Sequence, residues 1–130
     1  MKMNYVDVVA MLAVLQYLVF GSLVSRARGT YGIKAPAVTG SEPFERLYRV
    51  QMNTLELLVA FVPALYVAAR YWPAPYVAAL GVVYLAGRIV YWRAYVAAKP
   101  RSLGYTLSIG PVAILVLAAL LSALFGRAAA

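Results

Sequence analysis

Four stretches of this chain, at about residues 5–24, 52–71, 76–96 and 103–125, are almost continuously apolar, and the polar residues collect mainly in the intervals between them. Each holds about 20 residues, enough to cross ~30 Å of hydrocarbon at a rise of 1.5 Å per residue. The runs are rich in Ala and Leu, and a segment in lipid satisfies its backbone polar groups internally only as a helix. The pattern predicts an all-α membrane protein, a single domain built as a four-helix transmembrane bundle. The first run is too long for a signal-peptide core, Lys2 gives only a minimal basic flank, and no A-x-A site precedes Arg26, so this segment is expected to be retained.

The three intervals differ in kind. Gly29, Gly32, Pro36, Gly40 and Pro43 predict a helix-breaking loop of about 15 residues, and loops that long tend to be functional or mobile. Trp72-Pro73-Ala74-Pro75 reads as a tight turn anchored at the interface by Tyr71, Trp72 and Tyr76, with Arg70 snorkelling. Residues 97–102 make a short basic connection in which Pro100 breaks the chain before the fourth helix. Small residues four apart (Ala60, Ala64, Ala68; Ala118, Ser122, Gly126) point to close helix packing or oligomer contacts, and Pro63 to a kink.

Charge adds an orientation. The chain has 130 residues, 65% of them hydrophobic, and a formal net charge of +8. Arg26, Arg28, Lys34, Arg46 and Arg49 flank or fill the first interval, and Arg93, Lys99 and Arg101 the third; these intervals share a side, against Lys2, Arg70 and Arg127 on the other. By the positive-inside rule the basic side is cytosolic and both termini lie opposite. Charges gathered at helix ends match anionic headgroups rather than nucleic acid, so no nucleic-acid partner is expected.

The residue inventory restricts the chemistry. With no Cys and no His there is no thiol nucleophile, imidazole base or familiar zinc site. Asp7, Glu42, Glu45 and Glu56 are the only carboxylates and are too scattered for a paired-acid site. An enzyme of this composition borrows its reactive group. Arginine and tyrosine are abundant, and guanidinium groups suit an anionic cofactor or substrate. The polar groups of residues 45–56 run into the second apolar segment, where they are costly and therefore functional candidates. Arg49, Asn53, Glu56, Ala60 and Pro63 share one helical stripe, and Arg88, Tyr91 and Tyr95 another. Facing stripes would form a polar slot open to the basic side. Taken alone, Glu56 with Arg88 also reads as a structural ion pair, the terminal cations as orientation signals and the tyrosines as an interfacial belt.

The run Phe44-Glu45-Arg46-Leu47-Tyr48-Arg49-Val50-Gln51-Met52-Asn53-Thr54-Leu55-Glu56 resembles the F-E-R-x-Y-R-x-Q-x-N-x-x-E signature of the MAPEG superfamily, the membrane-associated proteins of eicosanoid and glutathione metabolism. The likeness extends from Arg28, through Pro36 and Thr39-Gly40, to Arg88, Tyr91 and Tyr95. It implies a homotrimer with glutathione as co-substrate bound between adjacent subunits near the cytosolic side. Arg28, Arg49, Gln51, Asn53, Glu56, Arg88, Tyr91 and Tyr95 would hold the tripeptide. Arg101, with Ser102, Tyr105, Thr106 and Leu107, resembles an R-S-x-x-Y-T-L segment of the superfamily and would be the catalytic, thiolate-stabilising residue.

The activity so implied is transfer of glutathione to hydrophobic or lipid electrophiles, or reduction of lipid hydroperoxides. Two departures narrow it: Leu57 stands where some members have a ligand-contacting tyrosine, and Gly29 where they have a second arginine. The spacing from Tyr95 to Arg101 also differs, leaving Ser102 as the position an ungapped alignment would select. Alternatives are a non-enzymatic lipid-binding member of the same superfamily and a transporter using Glu56 to couple protons.

Overall fold

The computed structural model describes residues 3–126, so the expectations for Lys2 and Arg127 fall outside the described residues. Four helices follow one another: α1 (Tyr5–Tyr31), α2 (Glu42–Ala68), α3 (Ala74–Val96) and α4 (Ser102–Phe125). All four are long and apolar enough to span a membrane. Large apolar side chains such as Leu15, Leu18, Val59, Val82, Ile114, Leu117 and Leu124 face outward, as expected of a multi-pass integral membrane protein whose solvent is lipid.

The helices outrun the apolar stretches that announced them. α1 continues past residue 24 to Tyr31, and α2 begins at Glu42 rather than near residue 52. Only residues 32–41 lie between, so the expected loop of about 15 residues is shorter. The reason is local. Gly29 sits in the last turn of α1, where helix continues until Gly32 adopts the left-handed conformation (φ 68°) and closes the end. Pro43 falls in the first turn of α2, where a missing N–H costs nothing. At 27 residues each, α1 and α2 are roughly 40 Å long, so their facing ends project beyond the hydrocarbon and carry Arg26, Arg28, Arg46 and Arg49 into the interface.

α2 and α3 form the centre of the bundle. α1 packs on both from one side and α4 on both from the other, with no contact between α1 and α4. Phe61 and Tyr84 stack at the centre with ring centroids 4.0 Å apart, surrounded by Val9, Leu65, Val112 and Leu115. Ala64 and Ala68 are buried in this core, which bears out the packing role read from their spacing. Gly87 and Gly104 bring α3 and α4 still closer: Gly87 lies on the Leu107 backbone and Gly104 on that of Tyr91.

Candidate functional site

Gly104 sets the site's geometry. A side chain there would stand 2.9 Å from the Tyr91 Cβ, so the absence of one lets α4 lie directly against α3. Arg101, three residues earlier at the α4 N-terminus, and Tyr105 are thereby brought beside the last turns of α3. Tyr91 stacks on Tyr95 at 5.5 Å and lies 6.4 Å from Tyr105. The Arg101 guanidinium is 5.3 Å from the Tyr95 ring centroid, a cation held against a π face. Arg49 and Asn53 of α2 complete the wall, and these six residues line a polar cavity of about 210 Å³.

Charge around the cavity is unbalanced. Arg49 pairs with Glu56 at 3.1 Å, two turns along the same face of α2, with both side chains at least half exposed. Such a pair contributes about 0–1 kcal/mol, so its members are free to exchange partners with a charged guest. Arg46 bonds Glu42 through Nη2 and Nε at 2.8 and 3.0 Å and donates to the Tyr95 carbonyl at 3.2 Å, tying α2 to the end of α3. Arg101 has no carboxylate partner among the described residues.

Arg88 is not where its stripe suggested. It is fully buried, one turn deeper than Tyr91, and does not line the cavity. Nε donates to Ser108 Oγ at 2.8 Å, and Nη1 to Asn53 Oδ1 at 2.7 Å and Thr54 Oγ1 at 3.2 Å. The expected Glu56–Arg88 ion pair is therefore absent: Glu56 faces outward beside Arg49, while Arg88 points into the junction of α2, α3 and α4. Neutral oxygens take the place of a carboxylate.

Arg28 and Gln51 lie elsewhere. Arg28 donates to the Ala37 carbonyl at 2.7 Å and lies 4.9 Å from the Phe44 ring centroid, holding the first loop against α2. The Gln51 amide packs on Gly21 of α1. Both occupy the α1 side of the α2–α3 pair, whereas the cavity opens on the α4 side. Of the residues expected to act, Arg49, Asn53, Tyr91, Tyr95 and Arg101 converge, Glu56 sits at the rim, Arg88 supports from beneath, and Arg28 and Gln51 are apart.

Tyr105, Thr54 and Ser108 were missed as functional positions. Arg101, Tyr105 and Ser108 recur at intervals of four and three, a stripe as regular as Arg88, Tyr91 and Tyr95. Beyond Glu56 the α2 stripe continues through Ala60 and Pro63 into an apolar groove of about 360 Å³ against Val116 and Leu120 of α4. The arrangement offers guanidinium, amide and phenol donors but no nucleophile or imidazole base. It can bind and stabilise an anion that brings its own reactive atom.

Sequence comparison places the chain among known relatives. Microsomal glutathione S-transferase 2 of Homo sapiens is 40% identical over 110 residues, 84% of this chain and 75% of that protein. Leukotriene C4 synthase of Cavia porcellus is 38% identical over 87 residues, 67% of this chain and 58% of that enzyme. An uncharacterised protein of Synechocystis is 49% identical over 115 residues, 88% of this chain and 84% of its own length. Residues 6–121 match the MAPEG family, and the chain belongs to it.

Proposed function

We propose that the protein is a membrane-bound glutathione transferase that joins the thiol of glutathione to hydrophobic electrophiles. The observation that carries this reading is a cavity lined by Arg49, Asn53, Tyr91, Tyr95, Arg101 and Tyr105, cationic and rich in donors yet without a nucleophile. Glutathione supplies what is missing. Its carboxylates suit the arginines, its ammonium suits Glu56, and its sulfur is the reactive atom. A free thiol with a pKa near 8.5 is only a few per cent ionised at neutral pH, and an adjacent cation favours the thiolate. Arg101, exposed and without an acidic partner among the described residues, supplies that cation. The sulfur then attacks an electrophilic carbon, a C–S bond forms and the leaving group departs with the bonding pair. With a lipid hydroperoxide, attack on oxygen breaks the O–O bond instead, and a second glutathione completes the reduction.

A second subunit belongs to this reading. About 210 Å³ is below the roughly 300–1,000 Å³ of drug-sized ligand pockets, so one chain makes only part of a tripeptide site. Arg28 and Gln51, on the opposite flank, can reach the guest only from a neighbouring copy. A homotrimer with the cavity at each interface, on the cytosolic side by the distribution of positive charge, puts both sets of residues to use. Glutathione arrives from water and the electrophile laterally from the bilayer.

Titration of the purified protein in nanodiscs with glutathione is the direct test. Binding at or below millimolar concentration is expected, and its absence would end the proposal. The apolar outward grooves favour a second reading, a lipid-binding protein without catalysis. Turnover with chlorodinitrobenzene, releasing chloride, decides for the transferase; binding of a lipid without turnover of glutathione decides for the lipid binder.

A further inference from the structure

We infer that Arg88 is a positioning residue that fixes which way the Asn53 amide faces, and so makes the middle of the cavity accept an oxygen rather than a nitrogen. This rests on the glutathione reading and deepens it. Guanidinium has only donors. Thr54 Oγ1 already gives its hydrogen to the Val50 carbonyl at 2.8 Å, and Ser108 Oγ gives its own to the Gly104 carbonyl at 2.7 Å. Both hydroxyls therefore meet Arg88 as acceptors. Asn53 does the same, with Oδ1 at 2.7 Å from Nη1.

An amide whose oxygen is held in this way has one orientation left. Reversing it would set an amide donor against the fully buried Arg88 guanidinium, at the cost of an unmade hydrogen bond to a charged group. Its amino group is thus turned away from Arg88, toward the cavity that Asn53 lines. Along α2 the cavity then presents a guanidinium at Arg49 and an amide donor at Asn53, with the exposed Glu56 carboxylate next along the same face beside Arg49. A guest fitted to that order carries a carboxylate, then a carbonyl or carboxylate oxygen, then an ammonium. Arg88 also lies 4.4 Å from the Tyr91 ring centroid, which holds a second lining residue to the same support. Touching no guest, it shapes the site through Asn53 and Tyr91.

Two substitutions test this. Asn53→Asp keeps an oxygen for Arg88 and adds a charge to pair with it, so the fold is maintained while the donor facing the cavity is lost. Glutathione affinity should fall about tenfold or more; unchanged affinity in a folded variant would overturn the inference. Arg88→Gln should weaken glutathione to a similar extent in the parent, but change it by less than about twofold in an Asn53→Ala background. Additive losses would show that Arg88 does not act through Asn53. The ultraviolet absorbance of bound thiolate, read at saturating glutathione, should persist in Arg88→Gln, because Arg101 faces the sulfur; its loss would make Arg88 the thiolate's cation and overturn the positioning role. Should Arg88→Gln not fold, Asn53→Asp decides alone. A parent protein that binds no glutathione defeats the function itself, and this inference with it.

Discussion

The two ends of the bundle handle polar side chains in opposite ways. At the end where α2 meets α3, the polar side chains that bond across helices do so one to one: Tyr66 donates to Asp7 at 2.9 Å, and Trp72 Nε1 to Ser122 Oγ at 3.0 Å. These bonds join α1 to α2 and the turn to α4, and donor and acceptor balance. At the other end, Arg46 and Arg101 lie against the Tyr95 ring, Arg46 pairs with Glu42 and Arg49 with the exposed Glu56, and Arg101 is left without a carboxylate partner among the described residues. A group whose partner is already present holds the fold together. A surplus of donors is free to hold something that is not part of the chain, as the proposed function requires.

The largest break in that contrast comes from Arg101→Ala. Removing the cation proposed to stabilise the thiolate should lower turnover about a hundredfold, with glutathione affinity changed much less. Turnover with chlorodinitrobenzene and the thiolate absorbance of bound glutathione check this together. Retained absorbance with lost turnover would move the thiolate role to another cation of the same end.

Gly104→Ala attacks the geometry instead of the charge. A methyl group driven into the Tyr91 backbone must separate α3 from α4, and overpacking of this kind costs about 1–3 kcal/mol. Thermal unfolding in detergent should register the loss. Because the displaced turn carries Arg101 and Tyr105, glutathione binding should weaken alongside it. An Ala variant as stable as the parent would show that α4 slides without cost, leaving the close approach incidental.

Glu56→Gln has a smaller effect. Truncating a fully desolvated charge pair costs 2–5 kcal/mol, but Glu56 is more than half exposed and already shares Arg49. Solvent screening reduces the expected loss to about two- to fivefold in glutathione affinity, read by titration. A glutathione analogue lacking the α-amino group should bind parent and variant alike. Discrimination retained by the variant would place the ammonium elsewhere.

The membrane spans and the converging residues were readable because each depends on short-range pattern: apolar runs long enough for a bilayer, and polar residues three or four apart. The helix ends were not, since apolar content marks where hydrocarbon is, while a helix runs on until a cap such as Gly32 stops it. Arg49, Asn53, Tyr91 and Tyr95 follow from their own helices' periodicity. Arg88 shares the face of Tyr91 yet turns inward, because the oxygens that hold it belong to α2 and α4. Gly104, between Arg101 and Tyr105, looked like one small residue among many. Its consequence exists only once α3 is beside it.

Tyr66→Phe probes the balanced end and should change least. It removes one donor to Asp7 between exposed residues near the membrane surface, where water replaces the lost partner. The expected cost is about 0.5–1 kcal/mol of stability, visible as a small shift in thermal unfolding. Turnover and glutathione affinity should match the parent. Tyr66 lies nearly five helical turns along α2 from Arg49, roughly 25 Å at 1.5 Å per residue, with the stacked Phe61–Tyr84 core between. If Tyr66→Phe altered glutathione affinity, the two ends would be coupled through that core, and a division into a structural end and a binding end would no longer hold.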